Sequence, residues 1–482
     1  MGIRRLGVFL SIGSALRHAQ PRCLSRQGYA DLVNTFLRRK ALGVEANIIA
    51  SNNATNASFK QRPWLAVASF VNPHDIGAYP FPWKPGVQAP DGALGPYGAP
   101  PRGTLSNPPQ YGTRQNGYQA TYRAPLNPGG FAPEGVRLPP NLHADLRTKP
   151  DCQYDYAYKF QVALRSLRWA VPAPLQGLSP YPFQLQPDAD AWYRAYVEFY
   201  LYLQYLVNLE VSSILARFYE CGLDQNTIVV FTSDHGEMGG AHGGQIEKWH
   251  HAYQESIHVP AIVSSPLVNP HAELRTVDAH TTHVDWIPTL LGLAGYSAAE
   301  QQALGGFIQG HDVYPLIGED LSRVLGSPAE SRLDRRGVLF VNEDTITAPL
   351  DPNYLPAQFP AYLEGTLELT AQGTHPPNPP LTAPGPVIQP NSVQSYFQTP
   401  WKLTRYWDPS GNAAPQWELY NLDADPLEDH NLVRWTAAGE PELRPAAVSA
   451  VGLTLAAAEA ALAAMRAELA RALTQAGYPA QV

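Results

Sequence analysis

The fold is decided by one stretch of sequence, Thr227-Ile-Val-Val-Phe-Thr-Ser-Asp-His-Gly-Glu237. Its apolar, β-branched run from Ile228 to Phe231 is typical of a buried strand in a parallel sheet. The run ends abruptly in the polar pair Asp234 and His235. Because open α/β sheets form their sites at the carboxyl ends of their strands, the pair marks the predicted functional site.

A carboxylate beside an imidazole permits two interpretations. Asp234 and His235 suit a divalent cation, since the carboxylate supplies hard negative charge and neutral imidazole is a common metal ligand. Alternatively, the Asp caps a turn and the His bonds to backbone, which is the commoner case for an isolated Asp-His-Gly. Glycines, His242 and Lys248 follow closely. This larger set is typical of a pocket for a metal and an anion.

Length and composition restrict the class of protein. The 482 residues suffice for one large α/β unit or for a large domain plus a small one. The net charge of -8 argues against nucleic acid as the main partner. An anionic substrate would then need a local cluster of positive charge. No stretch approaches the ~20 apolar residues of a membrane span. The three cysteines suggest neither a disulfide framework nor a zinc site.

The first 45 residues form an atypical basic leader that need not be native. An apolar run, Leu6 to Leu16, follows Arg4 and Arg5 as in a weak signal segment. The compartment stays open between the cytoplasm and the periplasm or the outside. The oligomeric state is not readable from the sequence.

The remaining patterns predict an α/β domain, a Pro-rich connector and a C-terminal subdomain. The predicted domains are residues 46–345, with a Pro/Gly-rich insertion at 76–140, then 346–391 and 392–482. The predicted strands are 64–71, 227–232 and 259–264, with a hairpin of 401–407 and 417–420. The predicted helices are 29–40, 190–219, 281–295, disturbed by Pro288, and 453–473.

Several motifs in order resemble the sulfatase family (arylsulfatase or choline-sulfatase-like) of the alkaline phosphatase superfamily. The resemblance covers roughly residues 60–435. It is carried by Asn72-Pro-His-Asp75, Ser233-Asp-His-Gly-Glu237, Gly240-Ala-His-Gly243, Lys248, Tyr253-Gln-Glu255, Val259-Pro-Ala-Ile-Val263, His283-Val-Asp-Trp-Ile-Pro-Thr-Leu-Leu291 and Trp417-Glu-Leu-Tyr-Asn-Leu-Asp-Ala-Asp-Pro-Leu-Glu428.

The resemblance implies an alkaline-phosphatase-like α/β fold. A mostly parallel central sheet is sandwiched by helices, and a small antiparallel subdomain follows. Asp234 and His235 would bind the metal, usually calcium, with magnesium or manganese as alternatives. Lys248 and His74 would contact the sulfate, and His74 would also protonate the leaving group. His242 is a further catalytic candidate with a less certain role. The adjacent His250, His251 and His258 are interpreted as ordinary surface or helix histidines.

Half of the family's machinery is missing from this sequence. The family uses two aspartates after its first strand and a Cys/Ser-x-Pro-x-Arg motif that yields its formylglycine nucleophile. The chain has no Asp-Asp pair and no such motif, and Cys23-Leu-Ser-Arg-Gln27 fails at two positions. We therefore expect a truncated or inactive chain that lacks a central strand and is poorly stable alone.

The implied parent activity is metal-dependent hydrolysis of a small-molecule sulfate ester. Two alternatives remain open at this point. One is hydrolysis of a phosphate or phosphonate ester by the same kind of site. The other is a non-catalytic remnant that binds anionic ligands.

Overall fold

The structure is a computed structural model. It describes residues 8–12, 25–43, 63–79, 98, 100, 104–106, 123–125, 135–160, 182–310, 312–327, 333, 335–343, 366–367 and 387–478. The predicted insertion at 76–140 and the connector at 346–391 fall mostly outside the described residues, and Cys23 lies outside them entirely.

Strands and helices alternate in the first half of the chain, and strands dominate after residue 337. The strands are β1 (Val8–Ile12), β2 (Ala66–Phe70), β3 (Thr104–Ser106), β4 (Arg123–Pro125), β5 (Val229–Ser233), β6 (Ala261–Ser264), β7 (Val338–Asn342), β8 (Ser392–Gln398), β9 (Trp401–Trp407), β10 (Gln416–Asn421), β11 (Val433–Trp435) and β12 (Pro441–Leu443). The helices are α1 (Ser25–Ala41), α2 (Asp151–Asp155), α3 (Ala189–Glu220), α4 (Gln254–Ile257), α5 (Trp286–Leu293), α6 (Ala298–Leu304), α7 (Ser322–Gly326), α8 (Pro445–Ala450) and α9 (Leu455–Gln475).

The first sheet is mixed and mostly parallel, as predicted. Its strand order is β2-β1-β5-β6. β1 runs parallel to both β2 and β5, and β6 runs antiparallel to β5. Burial alternates along β5, so this strand is half-buried rather than buried on both faces as its apolar run suggested.

β1 corrects the expectation of a missing central strand. Ile12 pairs with Phe70 of β2 on one side and with Ser233 of β5 on the other. Val8-Phe-Leu-Ser-Ile12 is apolar and prone to extended structure, and five residues suffice to complete both ladders. The predicted instability rested on a vacant position in the sheet, and β1 removes that reason.

The long helix α3 carries the core of the α/β domain. Asp188 caps it by accepting a hydrogen bond from the backbone N–H of Ala191. It ends at Glu220, and Gly222, just beyond the capping Cys221, has the positive φ of +62° that is common after a helix C-terminus. One face buries apolar side chains at helical spacing, which are Trp192, Tyr196, Phe199, Leu203 and Val207. Helix α1 packs against the same helix, and Asn34 donates to Ser213.

The C-terminal unit is built on an antiparallel sheet of order β10-β9-β8-β7. Helix α9 covers this sheet through Met465, Leu469 and Leu473. The predicted hairpin of β9 and β10 is confirmed. β7 lies within the segment 46–345, yet it pairs with β8. The C-terminal sheet therefore takes one strand from before the Pro-rich connector.

Pro288 does not disturb its helix. A 3-10 turn, His283–Asp285, leads into α5, which begins at Trp286. Pro288 therefore lies in the first α-helical turn, where a backbone N–H would have no intrahelical partner. Among the described residues, no helix is long and apolar enough to cross a bilayer.

Candidate active site

The carboxyl ends of three strands meet at one edge of the first sheet. Phe70, Ile12 and Ser233 end β2, β1 and β5 in matching register. A cleft of about 440 Å³ opens beside this edge, and Asp234, His235 and His74 are among the residues that line it. The structure therefore brings together three predicted site residues from two strand ends. The size of the cleft is that of a small-molecule site.

Asp234 and His235 lie close together at the end of β5. Asp234 Oδ1 accepts a hydrogen bond from the His235 backbone N–H at 3.0 Å. His235 Nε2 lies 3.4 Å from Asp234 Oδ2, and its Nδ1 lies 2.8 Å from the carbonyl oxygen of Gly236. Both partners only accept, and the contact to the carbonyl is the shorter one, so the neutral ring is assigned the tautomer with its proton on Nδ1 and the lone pair on Nε2. Burial lowers the pKa of His235, and the charge of Lys248 lowers it further, so the imidazole is neutral.

Gly236 is required by a close approach of two backbones. Its N–H donates to the carbonyl oxygen of Ser256 at 2.8 Å. A Cβ at this position would lie 1.8 Å from the carbonyl oxygen of Glu255. The glycine of the Asp-His-Gly motif therefore lets the segment at 255–256 pack against the end of β5. This contact brings Glu255 to the cleft.

Three glutamates that the sequence reasoning did not single out also line the cleft. They are Glu237, Glu247 and Glu255. Burial and the neighbouring charge of Glu247 raise the pKa of Glu237 from 4.5 to about 7. Glu237 Oε1 accepts hydrogen bonds from the backbone N–H groups of Gly239 and Glu247 and from the hydroxyl of Tyr196. Glu237 and Glu255 lie inside the quoted motifs. The spacing of residues in the sequence does not show that the chain folds back and brings both acids to the same cleft.

Lys248 lies beside the cleft rather than in its wall. Its Nζ is 3.3 Å from Glu247 Oε2 and 4.4 Å from the centroid of the Trp249 ring. Glu247 is among the lining residues and Lys248 is not. The sequence predicted a local cluster of positive charge, but no lysine or arginine is among the described residues that line this cleft. The charge of Lys248 still lowers the pKa of His235.

His242 is fully buried and does not line the cleft. Its ring stacks on Tyr253 with centroids 3.6 Å apart and planes 7° apart. Its Nε2 lies 3.3 Å from Glu255 Oε2 and its backbone N–H donates to Asn141 Oδ1. His242 thus reaches the cleft through Glu255 and does not contact a ligand there itself.

The interpretation of the neighbouring histidines as surface or helix residues was wrong for two of them. His250 and His251 are 0% exposed and lie outside helices. They pack beneath Tyr156 and beside Tyr253, because this segment turns into the core before α4. His258 is exposed, and it lines the cleft. Its position after α4 gave no signal of that role.

The family model for sulfatases matches residues 25–296, which is more than half of the chain. The chain belongs to the sulfatase family. This protein is similar over short segments to curated relatives. It is 32% identical over 129 residues to an ulvan-active sulfatase of Formosa agariphila, which is 27% of this chain and 22% of that protein. It is 41% identical over 76 residues to the uncharacterized sulfatase YidJ of Escherichia coli, which is 16% of this chain and 14% of that one.

The chain thus matches less than a quarter of the length of either relative. A solved structure of a 2-O GAG sulfatase superposes with a TM-score of 0.50 at 16% identity, over 96% of this chain and 71% of that chain. That likeness shows a common fold. The predicted alkaline-phosphatase-like α/β fold, with its antiparallel C-terminal sheet, is confirmed.

Sulfatases are generally metal-dependent, and the donors present here fit a metal only in part. Asp234 Oδ2 and His235 Nε2 are 3.4 Å apart, so both could contact one ion. The described residues contain no group of three or more His, Cys, Asp or Glu side chains that could hold a metal. Gly13 and Ser14 follow β1 in the sequence, where the resemblance predicts two aspartates. Asp234 and His235 would therefore supply only part of a metal's ligand set, and the other described residues do not supply the remainder.

Proposed function

We propose that this sulfatase-family protein binds a small sulfate ester in the cleft at the end of β5 and hydrolyses it. The observation that carries the proposal is the convergence of Asp234, His235 and His74 from two strand ends on one cleft. Family membership supplies the reaction class, and the cleft supplies a site of suitable size. The substrate follows from neither.

His74 is the residue best placed to assist departure of the alcohol. It follows β2 and lines the cleft opposite the end of β5. An imidazolium there would donate a proton to the ester oxygen as charge develops on it. Lys248, held beside Glu247, supplies positive potential from behind the wall. Its distance from the lining makes that contribution indirect.

Calcium remains the metal that the resemblance predicts for Asp234 and His235. A carboxylate oxygen suits this hard cation. The two side chains would be part of its ligand set. Calorimetric titration of the purified protein with calcium, magnesium and manganese tests this assignment.

A second candidate function is binding of a sulfated ligand without hydrolysis. It is favoured by one observation, the absence of a Cys/Ser-x-Pro-x-Arg motif from the 482 residues. Without a nucleophile, the cleft would recognise an anion and release it unchanged.

One experiment separates these candidates. Release of 4-nitrophenol from its sulfate and phosphate esters is compared, and ligand-induced stabilisation is measured in parallel. Sulfatase function predicts turnover of the sulfate ester and a loss of about a hundredfold in His74→Gln. The matched control is His143→Gln, an exposed histidine far along the chain from the strand ends. Preference for phosphate supports the superfamily alternative, and stabilisation without turnover supports the binding function.

A further inference from the structure

Glu255 is a carboxylate of the cleft wall that a buried side chain holds in place from inside the protein. Glu255 lines the cleft, and its side chain is 30% exposed. Its Oε2 faces His242 Nε2 at 3.3 Å. The backbone N–H of Glu255 also hydrogen-bonds to this carboxylate. A carboxylate offers about four lone-pair sites, so one that is held by these two contacts can still accept from a hydrogen-bond donor on a ligand.

His242 is held in place by its own neighbours. Its backbone has a φ of +50°, in the left-handed region, and its backbone N–H donates to Asn141 Oδ1. The Tyr253 ring lies flat against the imidazole at 3.6 Å. Because the histidine is 0% exposed, its ring has no room to swing away from Glu255.

Tyr253 is in turn fixed by a set of buried polar groups that we call the Glu418 network, comprising Gln153, Tyr253, Tyr406, Glu418 and Tyr420. Glu418 is 1% exposed and accepts hydrogen bonds from all three tyrosine hydroxyls and from Gln153 Nε2. The Tyr253 hydroxyl oxygen also lies 2.8 Å from Gln153 Oε1, so its single hydrogen is shared between that oxygen and Glu418. A continuous set of contacts therefore runs from β10 through Tyr253 and His242 to Glu255.

Burial would raise the pKa of Glu255, but the hydrogen bond and charge of His242, a backbone hydrogen bond and the charge of Lys402 together outweigh it, so the pKa lies below its usual value. The side chain is therefore an anion in a cleft that also contains Asp234 and Glu247. An ionised carboxylate repels the sulfate group itself. It is complementary to a hydroxyl or ammonium hydrogen on the alcohol part of the same ester.

We propose that Glu255 determines specificity by accepting a hydrogen bond from a hydroxyl or ammonium group that neighbours the sulfate ester, and that His242 is its positioning residue. This inference rests on the proposed function and adds the substrate class: sulfate esters of alcohols that carry a second hydrogen-bond donor. His242 acts through Glu255 and is not itself a catalytic residue.

The test uses three esters that differ at one position. Phenyl sulfate lacks the donor, catechol monosulfate carries a neighbouring hydroxyl, and 2-methoxyphenyl sulfate replaces that hydroxyl with an acceptor of similar bulk. Affinities are measured by calorimetry, so the result does not depend on turnover. The wild-type protein is expected to bind catechol monosulfate about tenfold more tightly than either control ester.

Variants locate the source of this preference. Glu255→Ala and His242→Asn are both expected to reduce the tenfold ratio to about one, since Asn tolerates the left-handed backbone but cannot reach Glu255. Glu255→Gln should restore part of the ratio through its amide oxygen. His250→Asn is the matched control, because His250 is equally buried, has a φ of +62° and contacts Asn391 instead. Its ratio should equal that of the wild type.

The outcomes distinguish a failure of this inference from a failure of the proposed function on which it rests. Equal binding of the three esters, or a preference that survives Glu255→Ala, overturns the role of Glu255 and leaves sulfate-ester binding intact. A His242→Asn protein that folds and keeps the full ratio overturns the positioning role alone. If none of the esters binds, the proposed function and this inference both fall.

Discussion

Asp234 and Glu418 are both acids of family motifs, yet their surroundings are opposite. Asp234 ends a strand at a cleft and is 35% exposed. Glu418 is 1% exposed in the middle of β10, and four side-chain donors surround it. The first acid keeps part of its surface for a ligand, whereas the second uses its oxygens within the protein. An acid in a family motif can therefore serve either a ligand site or the protein's own structure, and the burial of its side chain distinguishes the two roles.

Removing the Glu418 carboxylate should produce the largest effect on stability. Glu418→Ala removes the shared acceptor of three tyrosine hydroxyls and an amide, and it leaves the buried Lys149 without this counter-charge. Tyr253 can still donate to Gln153, but the hydroxyls of Tyr406 and Tyr420 lose the acceptor that they have here. We expect the free energy of unfolding to fall by about 3–5 kcal/mol, since each orphaned buried group is costly. Urea unfolding followed by tryptophan fluorescence measures the change.

The control is Asp423→Ala, which removes an exposed acid of the same motif. Its free energy of unfolding should change by no more than about 0.5 kcal/mol. A loss below about 1 kcal/mol in Glu418→Ala would show that the network is not a main source of stability.

Gly236→Ala should have the next largest effect, because Gly236 lies where the end of β5 packs against the segment at 255–256. The new Cβ would lie 1.8 Å from the carbonyl oxygen of Glu255, so the backbone at 255–256 must move. We expect a loss of about 2–3 kcal/mol in unfolding free energy together with weaker ligand binding. Gly135→Ala serves as control, because nothing lies within 4 Å of its added Cβ. An unchanged stability in Gly236→Ala would mean that this backbone approach is loose.

His251 should make the protein sensitive to acid. Burial lowers its pKa well below 6.5, and the positive charges of His242, His250 and Lys402 add to this effect. The unfolded chain then binds one proton more than the folded one below pH 6.5. Stability is therefore present above that pH and is lost as the pH falls, by up to about 1.4 kcal/mol per unit from this group.

The comparison of His251→Phe with the wild type isolates that contribution. Neither ring nitrogen of His251 has a hydrogen-bond partner among the described residues, so the apolar ring loses no hydrogen bond. Unfolding midpoints between pH 7.5 and pH 5, a range set around the usual histidine pKa of about 6.5, should fall less steeply in the variant. His430→Phe, at an exposed position, should keep the wild-type slope. Identical slopes in all three proteins would contradict the assignment.

Local patterns predicted several helices and strands well, because the spacing of apolar residues within each segment follows the period of its own secondary structure. The helix at 190–219 and the strand ending before Asp234 were readable from apolar spacing and from Gly222. The strand Val8–Ile12 was missed as a sheet member, since a short apolar run near an N-terminus looks the same as a leader segment. Pairing partners far apart in the chain decide between these two possibilities.

The site was predicted at its centre and missed at its walls. Asp234, His235 and His74 follow strand ends, which is a local signal. Glu247 and Glu255 reach the cleft because the chain turns back at residues 236–256, through backbone contacts such as Gly236 with Ser256. His242 was a further catalytic candidate with a less certain role, and the structure places it behind the cleft wall, stacked on Tyr253 and in contact with Glu255.

Asp234→Asn should have the smallest effect on stability and a large one on binding. The side chain is a third exposed, and the amide oxygen of Asn can still accept from the His235 backbone N–H. We expect the free energy of unfolding to change by less than about 1 kcal/mol. Loss of the negative charge should weaken calcium binding by at least about tenfold, because oxygen ligands bind this cation largely through charge. Asp224→Asn, in the turn that precedes the same strand, should leave calcium affinity unchanged. If Asp234→Asn instead destabilised the protein as strongly as Glu418→Ala, Asp234 would serve the structure as Glu418 does, and the contrast between the two acids would fail.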